Sequence, residues 1–376
     1  MSLSSRRREQ LSAAPSADLS TRWRLAVGPA NYAGQAHHWA RAVERRLGGS
    51  AVSFAVEQRP RLRPGRGLSF HADHRLPHPR MTTPWGRSRR MRRVLRGATH
   101  VAVDGFLPVY GRVGRSDLGE DVRLLARQGL RVALISHGTD LRDPDAHIQR
   151  NPFSYYATAP REWVDLARGL ARRHRTIAAD LGVPLFVSTP DLLLDAPWAT
   201  WLPVSIAVSD WCTPRPALTA RPPTVLHRPS RTVPPIKGTQ IIDPVLRDLA
   251  TRGRIRYLAP ETVAHAAMPE LVAGADIVVD QILTGSYGVA AVEAMAAARL
   301  VIGYVDPPTR ALMPDQPPIV DAPPDRFAAV MEEILADPAA YADIAAAGPA
   351  FVARWHDGTA AAEALRPFLD GSIATT

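Results

Sequence analysis

Lys237 is the sole lysine of this 376-residue chain; every other basic position among 46 Lys+Arg is arginine. It stands in His227-Arg228-Pro229-Ser230-Arg231-Thr232-Val233-Pro234-Pro235-Ile236-Lys237-Gly238-Thr239, between a strand-like apolar run and a helix-like run. A compact ammonium at a glycine-containing helix entrance suits a diphosphate, because helix N-terminal amides and a mobile point charge both favour anions. The plain alternative is a lysine on a solvated loop. A second segment, Gly285-Ser286-Tyr287-Gly288-Val289, opens an alanine-rich helix that carries Glu293. The amides of Tyr287, Gly288 and Val289 would face phosphate, while Glu293, more than a turn into the helix, would accept from sugar hydroxyls. A glutamate among Val289, Val292 and Ala296 needs a partner.

His137 ends the apolar run Val132-Ala133-Leu134-Ile135, at the end of a parallel strand where side chains emerge toward ligands. It can donate to a sugar hydroxyl or a phosphate with Asp140 beside it; the alternative is a backbone-satisfied histidine with Asp140 capping the next turn. The loop Gly28 to Gln35 follows the first strand, and its small residues let backbone approach a ligand. Asn31, Gly34 and Asp140 are therefore assigned to the acceptor side.

Two series of alternating strands and helices position these residues. In the C-terminal half, Thr224 to His227, Arg254 to Leu258, Asp276 to Asp280 and Leu300 to Val305 read as short buried strands. Helices are predicted over Gln240 to Ala250, Glu261 to Ala273 and Val289 to Ala298. In the N-terminal half, strands are predicted at 24–27, 51–56, 99–103, 132–136 and 184–188, with helices over Gln35 to Leu47, Asp117 to Gln128 and Arg161 to Leu181. Short apolar strands alternating with helices imply parallel sheets covered on both faces. The expectation is an α/β fold of two Rossmann-like domains facing across a cleft. The first spans 21–200, joined near Pro197 to Pro203 to a second over 201–350. Helices are predicted over Phe327 to Ala347 and Pro349 to Leu369, and 351–376 is read as a C-terminal helix returning toward the first domain, then a tail. Residues 1–20 read as a disordered tail.

A net charge of +10 implies attraction to anions without choosing among nucleotide, lipid and nucleic acid. One cysteine, Cys212, excludes an intramolecular disulfide and a multi-cysteine zinc site; it reads as a half-buried small hydrophobe in a reducing, cytoplasmic setting. No run approaches the roughly 20 apolar residues of a membrane span. Arginine in place of lysine, with abundant alanine, points to a GC-rich bacterial coding sequence.

Between Arg59 and Gly97 the alternation breaks, and twelve arginines face only Asp73. This 59–97 segment reads as a solvated excursion or as a basic, partly apolar surface for anionic lipid at the inner membrane face. Nucleic acid is not expected, because Phe70 and Trp85 are its only aromatic residues.

The segment Gly285-Ser286-Tyr287-Gly288-Val289-Ala290-Ala291-Val292-Glu293-Ala294-Met295-Ala296 resembles the Gly-Phe-Gly…Glu-Ala-Met-Ala segment of GT-B-fold glycosyltransferases, especially family 4. Paired glutamates straddle it in that family; here Glu293 holds the second position and Gly285 stands at the first. Arg231…Lys237-Gly238-Thr239 resembles the family's diphosphate-binding Arg and Lys-Gly pair, and His137-Gly138-Thr139-Asp140 its His-Gly-x-Asp. The resemblance implies transfer from a nucleotide-sugar with retention, without an essential metal, and with no cofactor beyond that co-substrate. It implies that Ser230, Gly238, Ser286, Tyr287, Gly288, Val289 and Glu293 hold the donor, and that His137, Arg231 and Lys237 serve catalysis. The acceptor, a glycan, a lipid-linked chain or a small molecule, is left open. A nucleotide-sugar epimerase of the same fold and a non-catalytic binder of anions or membranes are the rival readings.

Overall fold

A computed structural model describes residues 23–57, 70–78, 84–110, 117–229, 234–260 and 263–372. The expected N-terminal tail lies outside them. Seven strands form one sheet: β1 (Arg24–Gly28), β2 (Ser50–Val56), β3 (His74–Leu76), β4 (His100–Asp104), β5 (Arg131–Ser136), β6 (Leu185–Val187) and β7 (Thr200–Trp201). They run in the order β3-β2-β1-β4-β5-β6-β7 and every pairing is parallel. Five more, β8 (Thr224–His227), β9 (Arg256–Leu258), β10 (Ile277–Val279), β11 (Leu300–Gly303) and β12 (Ile319–Asp321), form a second parallel sheet ordered β12-β11-β10-β8-β9. The central strands β4 and β8 are buried at every residue, which is why they read as continuous apolar runs.

Strand order reverses direction between β1 and β4 in the first sheet and between β8 and β10 in the second. Loops leaving the carboxyl ends of such strand pairs diverge and open a crevice, where open α/β sheets bind ligands. The segments that follow β1, β8 and β10 carry most of the candidate residues, and His137 and Asp140 follow β5, the neighbour of β4.

The chain passes between the sheets twice. At the first passage Ser205 N–H donates to Gln35 Oε1 at 2.7 Å and Gln35 Nε2 donates to Ser205 O at 3.1 Å. At the second, Ile206 N–H donates to His356 O at 3.0 Å. The final helix, Thr359–Asp370, then packs Ala361, Leu365 and Phe368 against Trp39 and Val43 of helix Gln35–Leu47. Gly358 stands at this entry with φ 96°, and a Cβ on it would press on Ala42 at 2.8 Å.

Several boundaries differ from the sequence reading. The helix expected over Phe327 to Ala347 stops at Ala336, because Pro338 follows and the Asp337 side chain caps Ala340 N–H in a new turn. Helix Ala342–Trp355 runs through Pro349, and Gly358 separates it from the last helix. The helix expected over Glu261 to Ala273 is a 3-10 turn, His265–Ala267, followed by Met268–Ala273 with Pro269 in its first turn. Cys212 is exposed after the 3-10 turn Val208–Asp210, not half-buried.

The described parts of the basic segment, 70–78 and 84–97, belong to the fold and are not a solvated excursion. Residues 58–69 and 79–83 lie outside the described residues, but β3 extends the first sheet, and helix Pro84–Val94 with the turn after it buries Met91, Val94 and Leu95 in its core. Arg87 is buried as well and donates to the carbonyls of Pro108 and Val109. Arg90, Arg92, Arg93 and Arg96 are exposed.

Candidate active site

At the second-sheet crevice a cation, a carboxylate and a helix end meet. Lys237 closes the turn after β8, and Gly238, at φ 83°, admits the chain into helix Thr239–Thr251. A Cβ on Gly238 would sit 2.6 Å from Ile282, and Ile282 N–H donates to Lys237 O at 3.1 Å, so this turn is pinned to the segment leaving β10. Lys237 Nζ donates to Asp280 Oδ1 at 3.1 Å, while the other Asp280 oxygen accepts from Gly288 N–H at 3.0 Å. Gly288 caps the helix Val289–Ala296. His227 lies beneath, its pKa lowered to about 4 by burial. The neutral ring contacts Val279 O through Nδ1 and Thr239 Oγ1 through Nε2, both at 2.9 Å. Since a carbonyl only accepts, Nδ1 carries the proton and Nε2 accepts from the threonine hydroxyl. Ser230 and Arg231 lie outside the described residues.

Glu293 is 5% exposed and contacts His265 Nε2 through Oε1 at 3.1 Å. Burial pushes its carboxyl above the ordinary value; the His265 hydrogen bond and the charges of Arg228 and Lys237 pull the other way. The His265 ring stands edge-on to Trp211 and to Phe70, the latter at 4.8 Å. Phe70 comes from the first-sheet half, so this contact spans the two halves. Sequence reasoning missed His265 because it fell in a stretch read as continuous helix. Ser286 and Tyr287 are buried, and the tyrosine hydroxyl meets His356 Nε2 at 3.1 Å inside the core. Val289 is the first residue of the helix and packs partly buried against that core. The Ser286 carbonyl accepts from Gln281 Nε2 at 2.8 Å, and the buried Ser286 hydroxyl has no hydrogen-bond partner among the described residues.

Gly285 has φ 68°, and a Cβ there would collide with the Asp306 carboxylate and approach Asn151 Nδ2 at 3.1 Å. Glycine is thus demanded at the position of the first family glutamate, both by backbone conformation and by space. Asp306 is buried and caps Thr309 N–H at 2.9 Å.

The first-sheet crevice holds a histidine instead of a cation. The His137 ring stacks on Trp39 at 5.6 Å and meets Tyr32 edge-on at 5.2 Å, with Nε2 3.5 Å from Asp104 Oδ2. Asp104, fully buried at the end of β4, accepts from the N–H groups of Ala30 and Asn31 at 2.6 and 2.7 Å. It was not singled out from sequence, although a carboxylate closing the buried run Val101-Ala102-Val103 is a usable signal. Asp140 is committed to Ser136 Oγ and the amides of His137 and Gly138, so it caps its own turn. Asn31 spends its side chain on His71 O and His37 N–H. Gly34, at φ 75°, lies under Phe70.

A polar bridge joins the two crevices. His147, fully buried, places Nε2 2.9 Å from Thr284 O and Nδ1 2.6 Å from Ser154 Oγ. Burial beside Arg142 lowers its pKa to about 3. Asn151 Nδ2 donates to Leu283 O at 3.2 Å, so helix Pro144–Arg150 and its C-cap hold the loop that leads to Gly288. Among the described residues one group has metal-ligating character: Asp73 Oδ1 lies 3.8 Å from His37 Nδ1 and 3.9 Å from His71 Nε2. The other Asp73 oxygen is held by Ser53 and by Arg41, whose guanidinium already balances the carboxylate.

No protein-family profile matches the chain. No curated protein sequence matches it either. Solved structures do. Sucrose-phosphate synthase from Thermosynechococcus elongatus superposes with a TM-score of 0.59 at 14% identity, over 94% of this chain and 100% of that one. Anabaena HepE in complex with UDP and glucose gives 0.54 at 11% identity, over 93% and 99%. A glycosyltransferase from Rickettsia africae gives 0.51 at 11% identity, over 93% and 98%. At these identities the likeness is one of fold, and with its two parallel α/β sheets the chain adopts the GT-B fold.

Proposed function

We propose that this protein is a glycosyltransferase that takes a nucleotide-sugar donor at the second-sheet crevice and an acceptor at the first. The observation that carries this reading is the convergence of Lys237, the amide end of helix Val289–Ala296 and buried Glu293 at one strand-order reversal. A cation and a helix N-terminus suit a diphosphate, and a buried carboxylate suits the ribose hydroxyls. HepE, solved with UDP and glucose, supports the same class of donor. Catalysis is then largely electrostatic: Lys237, with Arg231, stabilises charge developing on the departing diphosphate, and such groups contribute roughly 10² to 10³ in rate each. His137, in the opposite half, meets the sugar or the acceptor. Retention and metal independence belong to the proposal through the family resemblance.

Incubation with a panel of nucleotide-sugars, followed by assay of free nucleoside diphosphate, tests the reading. Transfer or slow hydrolysis releases it, whereas epimerisation alone and simple binding do not. The exposed Arg90, Arg92, Arg93 and Arg96 favour a peripheral contact with anionic lipid on the acceptor side, each contributing on the order of 1 kcal/mol. Among the described residues no helix is long and apolar enough to cross a membrane.

A further inference from the structure

We infer that Asp280 is an internal anion seated where a donor phosphate binds, and that parting it from Lys237 sets the affinity for the donor. The inference rests on the proposed reading of this crevice as a nucleoside-diphosphate site. One Asp280 oxygen takes the Lys237 ammonium at 3.1 Å and the other takes the Gly288 amide at 3.0 Å. Those are the two donors, a point charge and a helix-end N–H, that a phosphate would use. The arrangement is built, not a chance surface rotamer. Asp280 is 2% exposed, its own N–H is paired with Ile302 O, and the Lys237-Gly238 turn is locked onto Ile282 two residues further on.

Two anions cannot share these donors without repulsion across a few ångströms of poorly solvated space. Entry of a diphosphate therefore requires Lys237 to swing from the carboxylate to the phosphate while Asp280 stays on the Gly288 amide or withdraws. The carboxylate keeps the ammonium paired when the site is empty, and it reclaims the ammonium when the product leaves. Its charge lowers the affinity for every diphosphate, donor and product alike, and so favours release.

Calorimetric titration of wild type, Asp280→Asn, Lys237→Ala and the double variant with a nucleoside diphosphate and with inorganic pyrophosphate tests this. The amide retains an acceptor for Gly288 N–H, so the helix end stays capped. Asp280→Asn is expected to bind both ligands about tenfold more tightly with a steeper salt dependence, and the Lys237→Ala background is expected to abolish that gain. A folded Asp280→Asn protein with equal or weaker affinity overturns the inference; should that variant fail to fold, Asp280→Ser poses the same question of charge. If wild type binds and Lys237→Ala weakens it, yet Asp280→Asn gains nothing, only the role of Asp280 falls. If no variant binds either ligand, the nucleotide site itself falls, and this inference with it.

Discussion

The two crevices share one plan and differ in what they present. Each lies at a reversal of strand order, and at each the residue at the end of a central strand is a buried aspartate: Asp104 closing β4, Asp280 following β10. Asp104 turns both oxygens on the backbone of the loop after β1 and adds His137 as a third neighbour. Asp280 takes one backbone amide and one lysine. The first crevice is thus shaped around a loop and an aromatic-flanked imidazole, with its carboxylate consumed by structure. The second carries a lysine and a helix end on either side of its carboxylate, and the proposed anion site rests on that pair. A common fold fixes where ligands enter, and the few residues at the strand ends decide which charge they carry.

The largest effect that separates the two is expected from Lys237→Ala, which removes a charge-assisted contact worth about 1.5 to 3 kcal/mol and lowers nucleoside-diphosphate affinity roughly 10- to 100-fold. Lys237→Arg restores it only in part, since a planar fork does not reproduce a point charge. Unchanged calorimetric affinity in Lys237→Ala would falsify the assignment of anion binding to the second crevice. On the other side, His137→Ala is expected to lower turnover by about 10² while leaving nucleotide affinity alone. Steady-state kinetics beside a binding titration reads both quantities, and parallel losses in the two would merge the crevices into one site.

Glu293→Gln sharpens the division within the second crevice. It is expected to weaken nucleoside diphosphate several-fold and to leave inorganic pyrophosphate untouched, because the proposed partner is the ribose. Equal losses for both ligands would move Glu293 from ribose to phosphate.

Stability should respond to acid through the histidines packed around the second crevice and the second passage. Burial holds His227 and His356 at about 4 and His147 at about 3, below the ordinary 6.5. Over that window the unfolded chain binds protons that the folded chain refuses, so their stabilisation is complete above about 6.5 and declines as pH falls toward 4. Melting curves between pH 7 and 4 should show the decline, with a shallower slope in His147→Gln. The smallest effect is expected from replacing Arg90, Arg92, Arg93 and Arg96 by serine: weaker cosedimentation with anionic vesicles at low salt, and unchanged affinity for nucleoside diphosphate. No sedimentation of the wild type with anionic vesicles would leave these arginines without a lipid role.

Much of the scaffold was legible in residue order. Continuous apolar runs such as Val132 to Ile135 and Thr224 to Leu226 mark strands buried on both faces, and helix Arg161–Leu181 has the predicted bounds because its apolar spacing is unbroken to the glycine that ends it. The edge strands β3, β7 and β12 were not legible: two or three residues long, they are strands only because a neighbour offers its edge. Local sequence also marked Lys237, Glu293 and His137, since an isolated lysine, a carboxylate in an alanine-rich helix and a histidine at a strand end are anomalies visible without a fold. Their partners were decided by tertiary structure. Lys237 meets Asp280 from 43 residues away and Glu293 meets His265 from 28, because parallel strands bring their carboxyl ends side by side whatever lies between them in the chain. Tertiary structure also set Asn31 against His71, 40 residues away, while Asp140 stays within its own turn, and it made Gly285 a position where packing against Asp306 excludes any side chain.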